Sequence, residues 1–188
     1  MADTRLFETE RLILGPFEPV DLPALHEHLN HPDLAGRRYL PWQFPEDLPL
    51  TDKQIEGIYD RWSGEERTLH LAVRSREGLV LIGHAELEWD WDPHCPYLAL
   101  VIAPPCQRQG YGSEALHCLL RYLFENTSAH NVTGWVADWN QPALDFAQKH
   151  GFQLCGRSRR EGMRMGAYYD GMLFDILRPE WRARQAGG

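Results

Sequence analysis

Gln107, Gly110, Gly112 and Ser113 stand between an apolar run, residues 98–103, closed by Pro104-Pro105, and an amphipathic stretch that opens near Tyr111. A strand, a glycine-bearing loop and a helix N-terminus in that order collect unpaired amide N–H groups at the positive end of a helix dipole. Such a place suits a phosphate or pyrophosphate. Glycines at 110 and 112 let the main chain approach the anion with no Cβ in the way. A second chemistry lies upstream. Glu86, Glu88, Asp90 and Asp92 alternate with Leu87, Trp89 and Trp91, so an extended chain puts the carboxylates on one face and the apolar side chains on the other. An acidic stripe with neighbouring indoles suits a cationic amine; the same alternation also describes a solvated strand face.

Three motifs compete for the glycine loop. No Gly-Lys-Ser/Thr triplet follows, which excludes the phosphate loop of nucleoside triphosphatases. Gly110-x-Gly112-x-x-Ala115 fits the dinucleotide fingerprint in its letters. That fold needs its first glycine at the strand end and an acid about 20 residues on; here residues 104–109 intervene and no carboxylate falls at that distance. Gln107-x-x-Gly110-x-Gly112, preceded by an apolar strand and Pro104, resembles the acyl-CoA loop of the GNAT superfamily of N-acetyltransferases. A second stretch agrees: Asn140 and Ala143, then Phe146, then Lys149, Gly151 and Phe152 resemble that superfamily's Asn-x-x-Ala followed by an aromatic-bearing helix and Lys-x-Gly-Phe. Thr9-Glu10-Arg11-Leu12, and the end of the chain from Arg160-Glu161-Gly162 to Pro179-Glu180-Trp181, resemble the branch containing ribosomal-protein N-terminal (alanine) acetyltransferases.

The resemblance covers roughly residues 9–181 and implies an α+β fold, the acyl-CoA N-acyltransferase fold. Its mixed, mostly antiparallel sheet is flanked by helices and splits at the cofactor site, between the strands at 97–103 and 132–138. It implies acetyl-CoA as cosubstrate and no metal. Gln107, Arg108, Gln109, Gly110, Tyr111, Gly112 and Ser113 then hold the pyrophosphate, and Val101 and Ile102 hold the pantetheine arm. Asn140 supports that arm, with Phe146 beside it. The N–H of Leu100 polarises the thioester carbonyl. The amine attacks directly, so no cysteine is needed as a nucleophile. The tyrosine that protonates the leaving thiolate in many relatives falls on Ala147 here, which leaves a water, Tyr168 or Tyr169. The glutamate that relatives carry before the loop falls near Tyr97. Glu86, Glu88 and Asp138 remain as bases, Glu86 first. The acceptor is a primary amine, either a protein N-terminus or a small molecule. A site without a strong base suits an α-amine, which costs about 1 kcal/mol to deprotonate at pH 7 against about 4–5 kcal/mol for a lysine-type amine. The alternative is a non-catalytic acyl-CoA-binding or sensor module of the same fold. A homodimer is compatible with either.

These residues need positioning elements. Residues 9–17 read as a first strand, and Asp21 opens a helix to about residue 30. Residues 31–50, rich in Pro and aromatics, read as an irregular segment that lines a pocket or packs as a connection. Thr51-x-x-Gln54 is a capping box for a helix ended at Ser63-Gly64. Strands follow at 68–74 and about 80–89, joined by a turn at Glu77-Gly78. The strand at 97–103 leads into the loop and a helix at 111–125. A strand at 132–138 precedes the Asn140 helix, which Gly151 ends. A strand at 152–160, a turn at Asp170-Gly171, a strand at 172–177 and a loose tail from Arg182 complete the chain.

Composition bounds the reading. At 188 residues, with 43% hydrophobic and 24% charged side chains, one domain with a sizeable core is expected. The net charge of −8 speaks against nucleic acid as a partner and for steering of a cation. No apolar run is long enough to span a membrane, and no secretory leader is visible, so the expected setting is cytoplasmic. Cys95, Cys106, Cys118 and Cys155 form no zinc spacing and read as free buried thiols. His26, His28 and His31 point to different helix faces, which argues against a metal site there.

Overall fold

The computed structural model describes residues 7–34, 49–89 and 92–186. Most of the Pro- and aromatic-rich segment, and Asp90 and Trp91 of the acidic stripe, lie outside the described residues. Two compact units emerge, residues 1–88 with 99–122, and residues 89–98 with 123–188.

The first unit contains β1 (Leu12–Gly15), α1 (Leu22–Leu29), α2 (Asp52–Gly64), β2 (Thr68–Ser75), β3 (Leu81–Glu88), most of β4 (Tyr97–Ile102) and the start of α3 (Tyr111–Asn126). Its strands lie in the order β1-β2-β3-β4. The capping box forms as expected: Thr51 accepts from the Gln54 amide, and the Gln54 side chain accepts from the Thr51 amide. Phe17, Leu25, Leu29, Ile55, Ile58, Trp62 and Ala72 make one buried cluster, which packs α1 and α2 against β2. The first strand is shorter than the apolar run suggested, because Pro16 has no N–H for a ladder. Gly83 is needed for a close approach. A Cβ there would sit 2.3 Å from the Val101 carbonyl oxygen.

The second unit holds β5 (Asn131–Ala137), α4 (Gln141–Lys149), β6 (Gln153–Arg164), β7 (Ala167–Leu177), α5 (Arg178–Ala186), the first residues of β4 and the end of α3. Tyr97 of β4 pairs in parallel with Thr133 of β5, and β7 lies antiparallel between β5 and β6. Together the ladders are mixed in sense and mostly antiparallel, flanked by helices, as expected.

Two expectations fail here. The turn lies at Met165-Gly166, not at Asp170-Gly171. Met165 and Gly166 both have positive φ, 51° and 78°, as a two-residue primed turn requires. Asp170 and Gly171 are inside β7. Gly171 is small for a different reason: Glu161 crosses its face to accept from the Trp135 indole at 2.7 Å, and a Cβ would collide with that carboxylate. The loose tail is also corrected through residue 186, which is helical. Pro179 occupies the first turn of α5, Glu180 accepts from the Leu177 amide at 2.9 Å, and Trp181 is buried against Phe124 at 5.5 Å between centroids.

Candidate active site

The glycine loop is built from both sides. Gln107 is exposed but tethered: its Nε2 donates to the Ile102 carbonyl at 2.8 Å and ties the loop to the end of β4. Gln109 donates to the Pro105 carbonyl at 2.9 Å. Arg108 and Gly110 carry the loop through the left-handed region, at φ 62° and 87°. The first i→i−4 bond of the helix runs from the Glu114 amide to the Gly110 carbonyl, 3.1 Å, so the amides of Tyr111 and Gly112 lie in the first turn, where helix amides have no partner within the helix. Ser113 is half-buried in the same turn.

Arg11 braces this loop, a role its sequence context did not reveal. Its guanidinium donates to Glu114 at 2.7 Å and to the Gln109 carbonyl at 3.0 Å, and it lies 4.6 Å from the centroid of the Tyr111 ring. The Arg11 amide and the Thr9 hydroxyl also donate to Glu114. Burial alone would raise the Glu114 pKa, but the Thr9 and Arg11 hydrogen bonds outweigh it and hold the carboxyl below its usual range. The Thr9-Glu10-Arg11 segment thus clamps the helix start through a paired charge.

Leu100 is half-buried in β4, and Val101 and Ile102 are buried. The neighbouring strand carries Glu86, which is 6% exposed. Glu86 therefore does not stand on a solvated face. β3 ends at Glu88, Asp92 lies outside the strand, and Glu86 is covered. Burial first, then the charges of Glu88 and Glu65, push the Glu86 pKa up to about 7. On the same face, His70 of β2 is directly opposite Glu86 and Ala72 is opposite His84. The Trp62 indole stacks on His70 at 5.0 Å and lies 5.3 Å from His84. His84 shares a 2.9 Å contact with Nε2 of His28, and burial first, then His31, lowers the His28 pKa to about 4. Neither Glu65 nor His70 carried a sequence signal, since only the strand register brings them to Glu86.

In the second unit, Asn140 precedes α4 as expected, but its side chain makes no capping hydrogen bond. Its carbonyl instead accepts from Ala143 and Leu144, at 3.0 and 3.1 Å. Phe146 is half-buried and packs on His150 at 4.5 Å. Ala147 follows and carries no proton to give. Asp138, Arg157, Arg159, Arg160, Tyr168 and Asp170 line an open concavity of about 880 Å³. Tyr168 is exposed beneath the Arg160 guanidinium, and Tyr169 meets Trp135 and Trp139 edge-on.

The four cysteines are free, but only Cys118 is buried; Cys155 is exposed and the other two are intermediate. Burial is the leading cause that raises all four thiols, which makes each a poor nucleophile near neutrality. Among the described residues, no three His, Cys, Asp or Glu side chains converge as a metal site would require, and no helix is long and apolar enough to cross a membrane.

The family described as Acetyltransferase (GNAT) domain matches residues 11–153. The uncharacterized N-acetyltransferase YnaD of Bacillus subtilis (strain 168) is 24% identical over 173 residues, spanning 92% of this chain and 97% of that protein. A GNAT-family acetyltransferase from Bacillus anthracis superposes with a TM-score of 0.79 at 22% identity, over 93% of this chain and 99% of that one. Spermidine N-acetyltransferase from Vibrio cholerae, solved with CoA and spermine, gives 0.77 at 22% identity over the same shares. The structural likenesses carry the fold.

Proposed function

Because the chain belongs to the GNAT acetyltransferase family, and is an N-acetyltransferase on that ground, we propose that it moves an acetyl group from acetyl-CoA to an α-amine, such as a peptide N-terminus. The observation that carries it is the braced loop: first-turn amides of a 16-residue helix, reached through Gly110 at positive φ and held by Arg11. Amides of this kind bind a pyrophosphate without a counter-cation. Arg108 and Ser113 flank them. Val101 and Ile102 offer strand backbone to the pantetheine arm, and the resemblance assigns Asn140 and Phe146 to the same arm.

The chemistry follows from Leu100 and Glu86. The Leu100 N–H stabilises the oxyanion that forms when the amine attacks the thioester carbonyl. Glu86 takes the proton the amine must lose, directly or through one water. Its pKa of about 7 matches an α-amine, about one unit above it, and not a polyamine or lysine amine several units higher. This favours the α-amine over the substrate of the spermidine acetyltransferase neighbours. The thiolate leaves with a proton from water or from a late-strand tyrosine, Tyr168 or Tyr169.

Release of free coenzyme A, followed with a thiol reagent, tests the reading on peptides with a free N-terminus, the same peptides Nα-blocked but bearing lysine, and spermidine. Turnover on the free N-termini alone is expected at pH 7.5. Tight acetyl-CoA binding with no turnover on any amine would instead support the sensor alternative, which Ala147 at the usual acid position favours. Gly112→Asp sets a carboxylate against the pyrophosphate and should abolish coenzyme binding in calorimetry while circular dichroism stays native; unchanged affinity would remove the loop from the site.

A further inference from the structure

Glu65, His70 and Glu86 stand in series. Glu65 follows the last residue of α2, and its Oε2 lies 2.6 Å from Nε2 of His70. Nδ1 of the same ring lies 3.6 Å from Oε2 of Glu86. The His70 and Glu86 side chains are buried, while that of Glu65 is 30% exposed. The ring cannot tilt freely, because the Trp62 indole stacks on it with 14° between the planes.

The proton positions follow from the partners. An ionised carboxylate only accepts, so the hydrogen of the Glu65–His70 bond belongs to Nε2. His70 is neutral near pH 7: burial lowers its pKa, against the upward pull of the Glu65 hydrogen bond and charge and with a further lowering from Arg61. A neutral imidazole that carries its hydrogen on Nε2 has only a lone pair at Nδ1, and that lone pair is the end nearer Glu86. An ionised Glu86 gains nothing from it. A protonated Glu86 gains an acceptor, and the 3.6 Å gap is about half an ångström from hydrogen-bond range, closed by a side-chain torsion or spanned by one water.

We propose that His70 is a positioning residue for the acetyl transfer: Glu65 fixes its tautomer, and its Nδ1 accepts a hydrogen bond from the Glu86 carboxyl once that group has taken the acceptor's proton. This deepens the assignment of Glu86 as base and rests on it. In the step itself an N–H bond of the ammonium breaks and an O–H bond forms on Glu86. The freed nitrogen lone pair attacks the thioester carbonyl carbon, the C–S bond breaks as the tetrahedral adduct collapses, the adduct's second N–H proton passes through water to the leaving thiolate, His70 stays neutral throughout, and the proton on Glu86 later leaves for water. The other groups facing this series are Glu88 beside Glu86 on β3, Arg61 on α2, and, across Trp62, His84 of β3 with His28 of α1.

The test uses the full chain and three variants. His70→Phe keeps an aromatic ring for Trp62 and removes the acceptor. Glu65→Gln, on a partly exposed side chain, frees the tautomer. Both should move the acid limb of the kcat/KM profile, the limb that does not follow the acceptor's own pKa, down by about one pH unit. The double variant should move it no further than His70→Phe alone. Nitrogen-15 spectra of the imidazoles should show His70 as the neutral Nε2–H form between pH 7 and 8, and a mixture of tautomers in Glu65→Gln. A limb unmoved in Glu65→Gln, or a native His70 found as Nδ1–H or as a cation in that range, overturns the proposal. Glu86→Gln separates the two layers: full turnover in that variant removes Glu86 as base, whereas lost turnover with an unmoved limb in Glu65→Gln removes His70 alone.

Discussion

Glu86 and His28 are buried titratable groups that pull stability in opposite directions with pH. Glu86 ionises near pH 7 when folded against 4.5 in the reference state. Its burial therefore costs nothing below pH 4.5, and the cost grows to about 3 kcal/mol above pH 7. His28 stays neutral to about pH 4 when folded against 6.5 in the reference state. The unfolded chain alone binds that proton between pH 6.5 and 4, so stability falls there by about 3 kcal/mol. Between pH 6.5 and 4.5 the two trends offset each other. Glu86→Gln should raise Tm at pH 8 and leave the acid loss from His28 uncompensated, so its Tm falls below pH 6.5 while the native value is nearly level. Melts followed by circular dichroism from pH 4.5 to 8 check this, and parallel curves would contradict it. Alternation in the sequence put Glu86 on a definite strand face but could not say what covers that face. The cover comes from α2 and from Phe17, which packs on Trp62 at 5.0 Å, distant in sequence and joined only by the fold. His70 was silent for the same reason, since a histidine opposite a glutamate exists only once the register is fixed.

The strand, loop and helix at 97–126 were legible element by element, because proline, glycine and a clean apolar period mark each boundary. The brace on that loop was not. Arg11 lies about a hundred residues upstream of Glu114, and no local pattern links them. Arg11→Ala removes a charge-assisted fork from the helix start. It should lower acetyl-CoA affinity about fivefold to tenfold, near 1 kcal/mol, with a smaller change in kcat. Arg11→Lys should recover only part of this, because an ammonium cannot reach Glu114, the Gln109 carbonyl and the Tyr111 ring together. Titration of coenzyme A into the variants reads both values. At the other end, Asp170-Gly171 carries the letters of a turn without being one. Gly171 is there to let Glu161 pass, and Asp170 is enclosed by the Arg160 amide and the Arg157 guanidinium, which hold its pKa below the usual carboxylate range. The true turn, Met165-Gly166, looks weaker in sequence because methionine rarely takes a positive φ.

Across the whole molecule the charge of −8 acts at long range. An anionic protein draws a cationic acceptor and repels a polyanionic cosubstrate, and salt screens both within about 10 Å at 0.1 M. Raising ionic strength should therefore lower kcat/KM for a positively charged peptide at saturating acetyl-CoA, and leave a net-neutral peptide nearly unchanged. Equal salt sensitivity for both peptides would show that local groups, not the overall field, set the encounter. Membership of the family was legible because two spaced patterns occur in the right order; the acceptor was not, because it is chosen by side chains that those patterns do not include.

Gly83 has a consequence for how this protein can vary. With the Val101 carbonyl 2.3 Å from where a methyl would stand, even alanine wedges β3 away from the strand that presents Leu100 and Val101. Position 83 thus admits no side chain without a backbone shift. Here the spacing between two backbones is set by a single hydrogen atom.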